Sequence, residues 1–172
     1  METLTEWMSI GWLAEFVNDY DWVWPICEIF HFLGMTLLIG TVGFLDLRIL
    51  GFIKAVPIAS LEKLIPVGVM GFVFNFVTGF IFVAGNPSGG PGAYLANTAF
   101  QLKMVLILIA GANLLAYYVL GVARAAEAVP VGGDAEPAAK VVAVVSLVAW
   151  FGVIYFGRMV MYNDTLLYAF GL

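Results

Sequence analysis

Four long apolar runs, separated by short polar segments, dominate the hydrophobic pattern of the chain. They cover residues of about 22–50, 64–85, 99–121 and 140–161. Because about 20 apolar residues cross a bilayer as a helix, each run predicts one membrane-spanning helix. Glycine- and proline-rich segments at 86–92 and 129–137 mark two of the connecting loops. The pattern predicts an all-α integral membrane protein, a four-transmembrane-helix bundle that forms a single membrane domain over residues 1–172.

A shorter amphipathic stretch precedes the first run. Over residues of about 3–17 the apolar side chains include Leu4, Trp7, Met8 and Leu13. The spacing favours a helix that lies in the membrane interface, ended by the polar pair at 18–19. We therefore expect a short N-terminal interfacial helix before the first span.

The composition agrees with a membrane protein and excludes several other classes. Hydrophobic residues make up 63% of the 172 residues and charged residues 11%, whereas soluble domains are about one quarter charged. The one cysteine, Cys27, excludes an internal disulfide. No basic run indicates binding to nucleic acid. The lipid bilayer is thus the first predicted partner.

Basic residues predict the orientation of the bundle. They follow the first span (Arg48, Lys54, Lys63) and the third (Arg124, Lys140), whereas the N-terminal segment and the glycine/proline loop lack them. Lysine and arginine concentrate on the cytoplasmic side of membrane proteins. We therefore expect both termini and the glycine/proline loop to face outward.

The candidate chemistry lies in the outer half of the predicted bundle. His31, the one histidine of the chain, lies in the first run, and Glu28 precedes it by three residues on the same helical face. Ionisable residues inside a membrane are costly and usually functional. Lys103 and Arg158 enter the same outer half from the third and fourth runs. Each of the four helices therefore brings a polar group to one depth, the second helix doing so with its Asn75 and Thr78.

These residue types favour a haem b site. Histidine is the usual axial ligand, and a guanidinium binds a propionate through two parallel hydrogen bonds. His31 would be the axial ligand, Arg158 would anchor a propionate, Glu28 would orient His31 or hold a proton, and Gly34 would leave room for the macrocycle. The sixth ligand stays open among Lys103, a methionine such as Met35, Met104 or Met159, and none.

Other functions are compatible with the same residues. Copper or small-cation transport would use imidazole with soft methionine and cysteine donors, but the methionines form no cluster in the sequence. A non-catalytic subunit of a membrane complex, or a homo-oligomer, would need no cofactor. Lys103 could also extend to the membrane surface, and the glycines of the second run could serve helix packing alone. A redox protein without a soluble domain would require a quinone or a redox partner protein for electron transfer.

Several motifs resemble a known family. Glu28-x-x-His31-x-x-Gly34, Asp46-Leu-Arg48, Asn97-x-x-Phe100-x-x-Lys103 and Gly157-Arg158-x-x-x-Tyr162 resemble a family of uncharacterised bacterial four-helix inner-membrane proteins. More distantly, the layout is similar to the CopD-like copper-resistance proteins and to the HemJ type of protoporphyrinogen oxidase. The latter resemblance implies haem b ligated by a histidine of an early helix and a lysine of a later one, here His31 and Lys103. It also implies a location in the bacterial inner membrane.

Overall fold

The computed structural model describes residues 9–86 and 89–165, which form helices and connecting loops and contain no strand. In chain order the helices are α1 (Gly11–Asp19), α2 (Val23–Leu50), α3 (Ile58–Glu62), α4 (Ile65–Ala84), α5 (Gly90–Leu95), α6 (Thr98–Val119), α7 (Val122–Glu127) and α8 (Pro137–Met159), followed by a 3-10 turn at Val160–Tyr162. Four of them, α2, α4, α6 and α8, are long and apolar enough to cross a membrane. The predicted four-helix, all-α architecture is confirmed.

The N-terminal helix differs from its prediction in both bounds. Leu4, Trp7 and Met8 lie outside the described residues, and α1 continues through residue 18 to Asp19. The Asn18 amide donates to the Ala14 carbonyl of the same helix at 2.9 Å, so the asparagine extends the last turn and does not end the helix at residue 17. We call the end of the bundle at which α2 begins the outer end, and the opposite end the inner end.

The α1 helix covers the outer end of the bundle. Its inward side chains join a small apolar cluster with the start of α2 and the end of α4, composed of Leu13, Val17, Val23, Cys27 and Ala84. Cys27 is a packing residue of this cluster, 8% exposed. The helix therefore packs on the protein, and its location at the membrane interface stays a prediction.

Glycines bring α2 and α4 into close contact. A Cβ atom on Gly34 would lie 2.6 Å from the Gly71 carbonyl oxygen, and one on Gly71 would lie 2.5 Å from the Gly34 carbonyl oxygen. A Cβ on Gly68 would collide with the Thr41 hydroxyl. Gly34 therefore leaves no room for a macrocycle, and this part of the sequence prediction is wrong. Its missing side chain admits the backbone of α4, as in other membrane helix pairs that pack through small residues.

The four spans form an incompletely closed bundle. The closest helix pairs are α2 with α4, α6 with α8, and α2 with α8, whereas α4 and α6 approach each other little. A lateral gap therefore runs between α4 and α6, on the side of the bundle that faces lipid in a membrane.

Arg48 fixes the loops at the inner end. Its side chain is fully buried and donates to the carbonyl oxygens of Val56 at 2.6 Å and of Pro130 and Gly133 at 3.3 Å each. These bonds tie the loop after α2 to the polar linker before α8. Arg48 is therefore a packing residue of the inner end.

An exposed ion-pair cluster joins the same two loops. The Asp134 carboxylate pairs with the Lys54 ammonium at 2.7 Å and with the Lys140 ammonium at 3.2 Å. The hydrogen bonds and charges of these two lysines lower the pKa of Asp134 below its ordinary range. The basic residues used to predict orientation thus gather at one end of the bundle, and the predicted direction of that end stays a prediction.

Candidate functional site

The candidate site begins with a contact between α2 and α4. The half-buried His31 places its Nδ1 atom 2.8 Å from the Thr78 Oγ1 atom. Thr78 is 6% exposed, and its hydroxyl lies 2.6 Å from the Phe74 carbonyl oxygen one turn earlier in α4. The polar face predicted for the second span therefore meets the histidine of the first.

The hydrogen-bond pattern assigns the tautomer of the imidazole. The Thr78 hydroxyl has one proton, and the Phe74 carbonyl, which can only accept, receives it. The hydroxyl therefore accepts from His31, so that Nδ1 carries the ring proton. No hydrogen bond from the described residues reaches Nε2, whose lone pair is left for a ligand. This arrangement matches metal-bound histidines, whose second ring nitrogen usually donates to a fixed acceptor.

Aromatic side chains surround the imidazole on its outer side. The Phe82 ring lies 5.4 Å from the His31 ring and 4.9 Å from the Trp24 ring, measured between centroids. Trp24 in turn donates its indole N–H to the Glu28 carboxylate at 3.2 Å. Glu28 therefore binds Trp24, and Thr78 orients His31. The predicted orienting role of Glu28 is thus wrong, whereas its role as a proton holder stays a prediction.

Two glycines lie against the candidate ligands. A Cβ atom on Gly79 would be 3.7 Å from the His31 Cε1 atom, and one on Gly157 would be 3.7 Å from both the Cδ and the Nζ atoms of Lys103. Both positions are thus adjacent to the functional side chain and carry no side chain of their own. These glycines let His31 and Lys103 lie in van der Waals contact with the backbones of α4 and α8.

Lys103 of α6 is the candidate ligand of the other helix pair. Its side chain is half-buried and lies against α8, where a Cβ on Gly157 would be 3.7 Å from its Nζ atom. Within residues 9–86 and 89–165 no carboxylate pairs with it, since the ion pairs found there both involve Asp134. The structure thus joins His31 of α2 to Thr78 of α4 and Lys103 of α6 to Gly157 of α8, and the convergence of these residues on one site stays a prediction.

Arg158 of α8 lies at the exposed margin of the site. Its guanidinium carbon is 5.6 Å from the centroid of the Tyr162 ring, a cation–π contact. In the described part of the chain it forms no ion pair with Glu28. The guanidinium has its donors available to an added anion.

Asparagines hold the outer ends of α6 and α8 together. The side-chain oxygen of Asn97 accepts from the Phe100 backbone N–H at 3.0 Å and so caps α6. The side-chain NH2 group of Asn97 donates to the Val160 backbone carbonyl at 2.9 Å. Asn163 accepts from the Ala99 N–H at 3.4 Å. These bonds set the relative heights of Lys103 and Arg158, and the sequence signal for them was the capping asparagine before α6.

Tyr94 is a member of the site that sequence reasoning missed. It lies in the short helix α5, half-buried, with its ring 5.5 Å from the Phe100 ring. Burial and the nearby Glu28 carboxylate both raise the pKa of Tyr94. The outer loop therefore brings Tyr94 within electrostatic range of Glu28, a proximity that leaves no local pattern in the sequence.

The described residues contain no group of three or more histidine, cysteine, aspartate and glutamate side chains that could hold a metal ion. Cys27, the softest candidate donor, is buried in the apolar cluster beneath α1, one turn before His31 in α2. A haem site does not require such a group, because one or two axial ligands and the porphyrin nitrogens hold the iron.

Comparison of the chain with protein-family models, curated proteins and solved structures found no match. The resemblance to bacterial four-helix membrane proteins therefore stays a prediction, and the interpretation of the site rests on its own geometry.

Proposed function

We propose that this protein binds haem b in the outer half of its bundle and has an electron-transfer or other redox role in the membrane. The observation that carries the proposal is the hydrogen bond from His31 Nδ1 to Thr78. With the ring proton on Nδ1, the lone pair of Nε2 is available to a metal ion. A histidine held in one tautomer and one orientation by a buried acceptor is prepared to ligate iron.

Lys103 is the proposed second axial ligand. It comes from the helix that, with α8, forms the other half of the bundle, and its side chain is half-buried. A lysine must lose its proton to ligate iron, and the lack of a carboxylate partner among the described residues favours that neutral form. The methionines named as alternatives gain no comparable support.

Gly79 and Gly157 would let both proposed ligands lie close to helix backbones. A Cβ on either glycine would be 3.7 Å from the side chain of His31 or of Lys103, so neither position separates a ligand from its neighbouring helix. Arg158, exposed and without a carboxylate partner in the described chain, would bind a propionate. The residues present thus fit haem b, which when bound would supply one-electron chemistry.

The roles of the protein's own residues follow from this arrangement. Thr78 holds the ring proton of His31, and Phe82 and Trp24 exclude water from its outer side. Glu28, at the exposed end of the Trp24 contact, is placed to exchange protons with the outer solution. An electron donor or acceptor would be a quinone or a partner protein.

Copper or small-cation transport, the alternative function, has less support. Transport would require polar groups that continue inward from His31. On that face α2 and α4 are instead packed backbone to backbone through Gly34 and Gly71.

The test is a reduced-minus-oxidised absorption spectrum of the protein purified in mild detergent from cells supplied with a haem precursor. We expect sharp b-type bands in the wild type, their loss in His31→Ala, and their retention in Thr36→Ala. Thr36 is the matched control because its hydroxyl bonds only to the Phe32 carbonyl of its own helix and lies on an exposed face. A colourless wild type that also fails to take up added haem would overturn the proposal.

A further inference from the structure

A second polar feature lies toward the inner end of the bundle, separate from the His31 site. A cavity of about 270 Å³ is bounded by residues from all four spans. Its lining is mostly apolar, and its polar members are Asp46, Asn113, Tyr117 and Ser146. The proposed haem site accounts for none of them.

Asp46 is the exceptional group in this lining. The amide of Asn113 donates to the Val142 carbonyl at 3.0 Å, and the Tyr117 hydroxyl donates to the Glu62 carboxylate at 2.5 Å. The Asp46 carboxyl is 95% buried, since only 5% of the residue is exposed, and faces the Ser146 hydroxyl. Its Oδ2 atom makes no hydrogen bond to any described residue. A buried acceptor without a partner is costly, so a native fold that retains one usually supplies a donor.

The cavity opens sideways toward the membrane. Its rim carries exposed residues of α4 and α6, namely Val69, Gly111 and Leu114. Since α4 and α6 approach each other little, the route into the cavity is the gap between them. A molecule dissolved in lipid can therefore reach Asp46 without crossing the loops.

From this geometry we infer that the cavity is a binding site for a small lipid-soluble molecule that carries one hydrogen-bond donor, a hydroxyl or an ammonium group, for Asp46 Oδ2. The apolar walls accept a hydrocarbon body, and the carboxylate accepts the donor. The volume is close to the lower end of the usual range for small-molecule pockets, about 300–1,000 Å³, which limits the enclosed part to one compact ring system. The inference does not depend on haem.

The experiment uses three compact probes of nearly equal size on the detergent-solubilised protein: 1-adamantanol, 1-adamantanamine and adamantane. Trp150 lines the cavity, so its fluorescence reports binding, and Trp150→Phe identifies the part of the signal that comes from it. We expect at least one donor-bearing probe to bind about tenfold more tightly than adamantane, because a partner for a buried acceptor that otherwise has none is worth about that factor.

Asp46→Asn should weaken the binding of the donor-bearing probes about fivefold or more and leave the binding of adamantane unchanged, since the variant keeps the shape and replaces the Oδ2 acceptor by an amide group that donates. Asp19→Asn, an exposed carboxylate at the outer end, is the matched control. Gly111→Phe is a second variant that keeps the carboxylate. Nothing lies within 4 Å of a Cβ at Gly111, so the ring should fill the entrance without disturbing the fold.

Tighter binding of the alcohol alone would identify a neutral hydroxyl ligand, and tighter binding of the amine alone a cationic one. Equal binding of all three probes, or donor preference that survives both Asp46→Asn and Gly111→Phe, would overturn the inference. Haem content is measured in the same samples, so that loss of the outer site is distinguished from loss of the cavity.

Discussion

The hydrogen bond between His31 and Thr78 leads to a specific prediction for the variant Thr78→Val. Valine has nearly the shape of threonine, so the packing between α2 and α4 is retained while the acceptor for Nδ1–H is removed. In the free protein the imidazole can respond by turning or by moving its proton to Nε2. When Nε2 ligates iron, however, the proton must stay on Nδ1, and the missing acceptor then weakens the bound state selectively.

The magnitude follows from the geometry of that bond. The two atoms lie 2.8 Å apart, and Thr78 is 6% exposed, so water replaces the hydroxyl poorly. Leaving a buried donor without a partner costs about 1–3 kcal/mol. A free-energy difference of about 1.4 kcal/mol changes an equilibrium constant tenfold. We therefore expect the haem dissociation constant of Thr78→Val to rise about 10- to 100-fold, which is the range typical for residues that support a metal-bound histidine.

The assay is a titration of the haem-depleted protein with haem, followed by the Soret absorbance in detergent. Thr36→Val is the matched control, since it also loses a threonine hydroxyl bound to a helix carbonyl but has no contact with His31. Thr78→Ser should restore tight binding by returning the hydroxyl. Equal dissociation constants for Thr78→Val and Thr36→Val would refute the assigned tautomer and with it the role of Thr78.

Two further predictions concern the frame around the site. Gly71→Ala should destabilise the protein by about 1–3 kcal/mol, measured as a lower thermal midpoint, because its Cβ would lie 2.5 Å from a backbone carbonyl; Gly40→Ala, where a Cβ meets nothing within 4 Å, should be nearly neutral. The pKa of Asp134 is lowered in the fold, so its ion pairs stabilise the protein fully at pH values above the ordinary aspartate pKa of about 4. This stabilisation is lost as the pH falls through the lowered pKa of the folded protein. Between pH 6 and pH 3 the wild type should therefore lose slightly more thermal stability than Asp134→Asn, and an equal loss would contradict this role.

The fold was predictable because membrane insertion imposes a simple rule on the sequence. Each apolar run must become a helix, since backbone polar groups have no other partners in lipid. The predicted runs consequently agree with α2, α4, α6 and α8 within a few residues. The N-terminal helix was less predictable, because its bounds depend on the contacts of Leu13 and Val17 with other helices and on the local bond of Asn18.

The site was predictable as a set of residues but not as a network. A histidine in a membrane span is visible in any sequence, and so is a lysine or an arginine at the same depth. Which partner fixes the histidine depends on the rotation of α2 against α4, and the glycine contacts determine that rotation. Glu28 was the nearest candidate along the sequence, whereas Thr78, 47 residues away, is the partner in space.

The close contact at Gly34 and Gly71 also separates two regions of different chemistry. On its outer side lie His31 and Thr78, and on its inner side lies the cavity with Asp46. Because the backbones touch there, a small increase in side-chain volume should move α2 away from α4 as a rigid body and disturb both regions together. Substitutions within one region should leave the other unchanged, so Thr78→Val and Asp46→Asn should have additive effects on stability, as expected for sites without shared partners. Combining either with Gly71→Ala should give a non-additive effect, since the helix displacement has already lengthened the contacts that each of them removes.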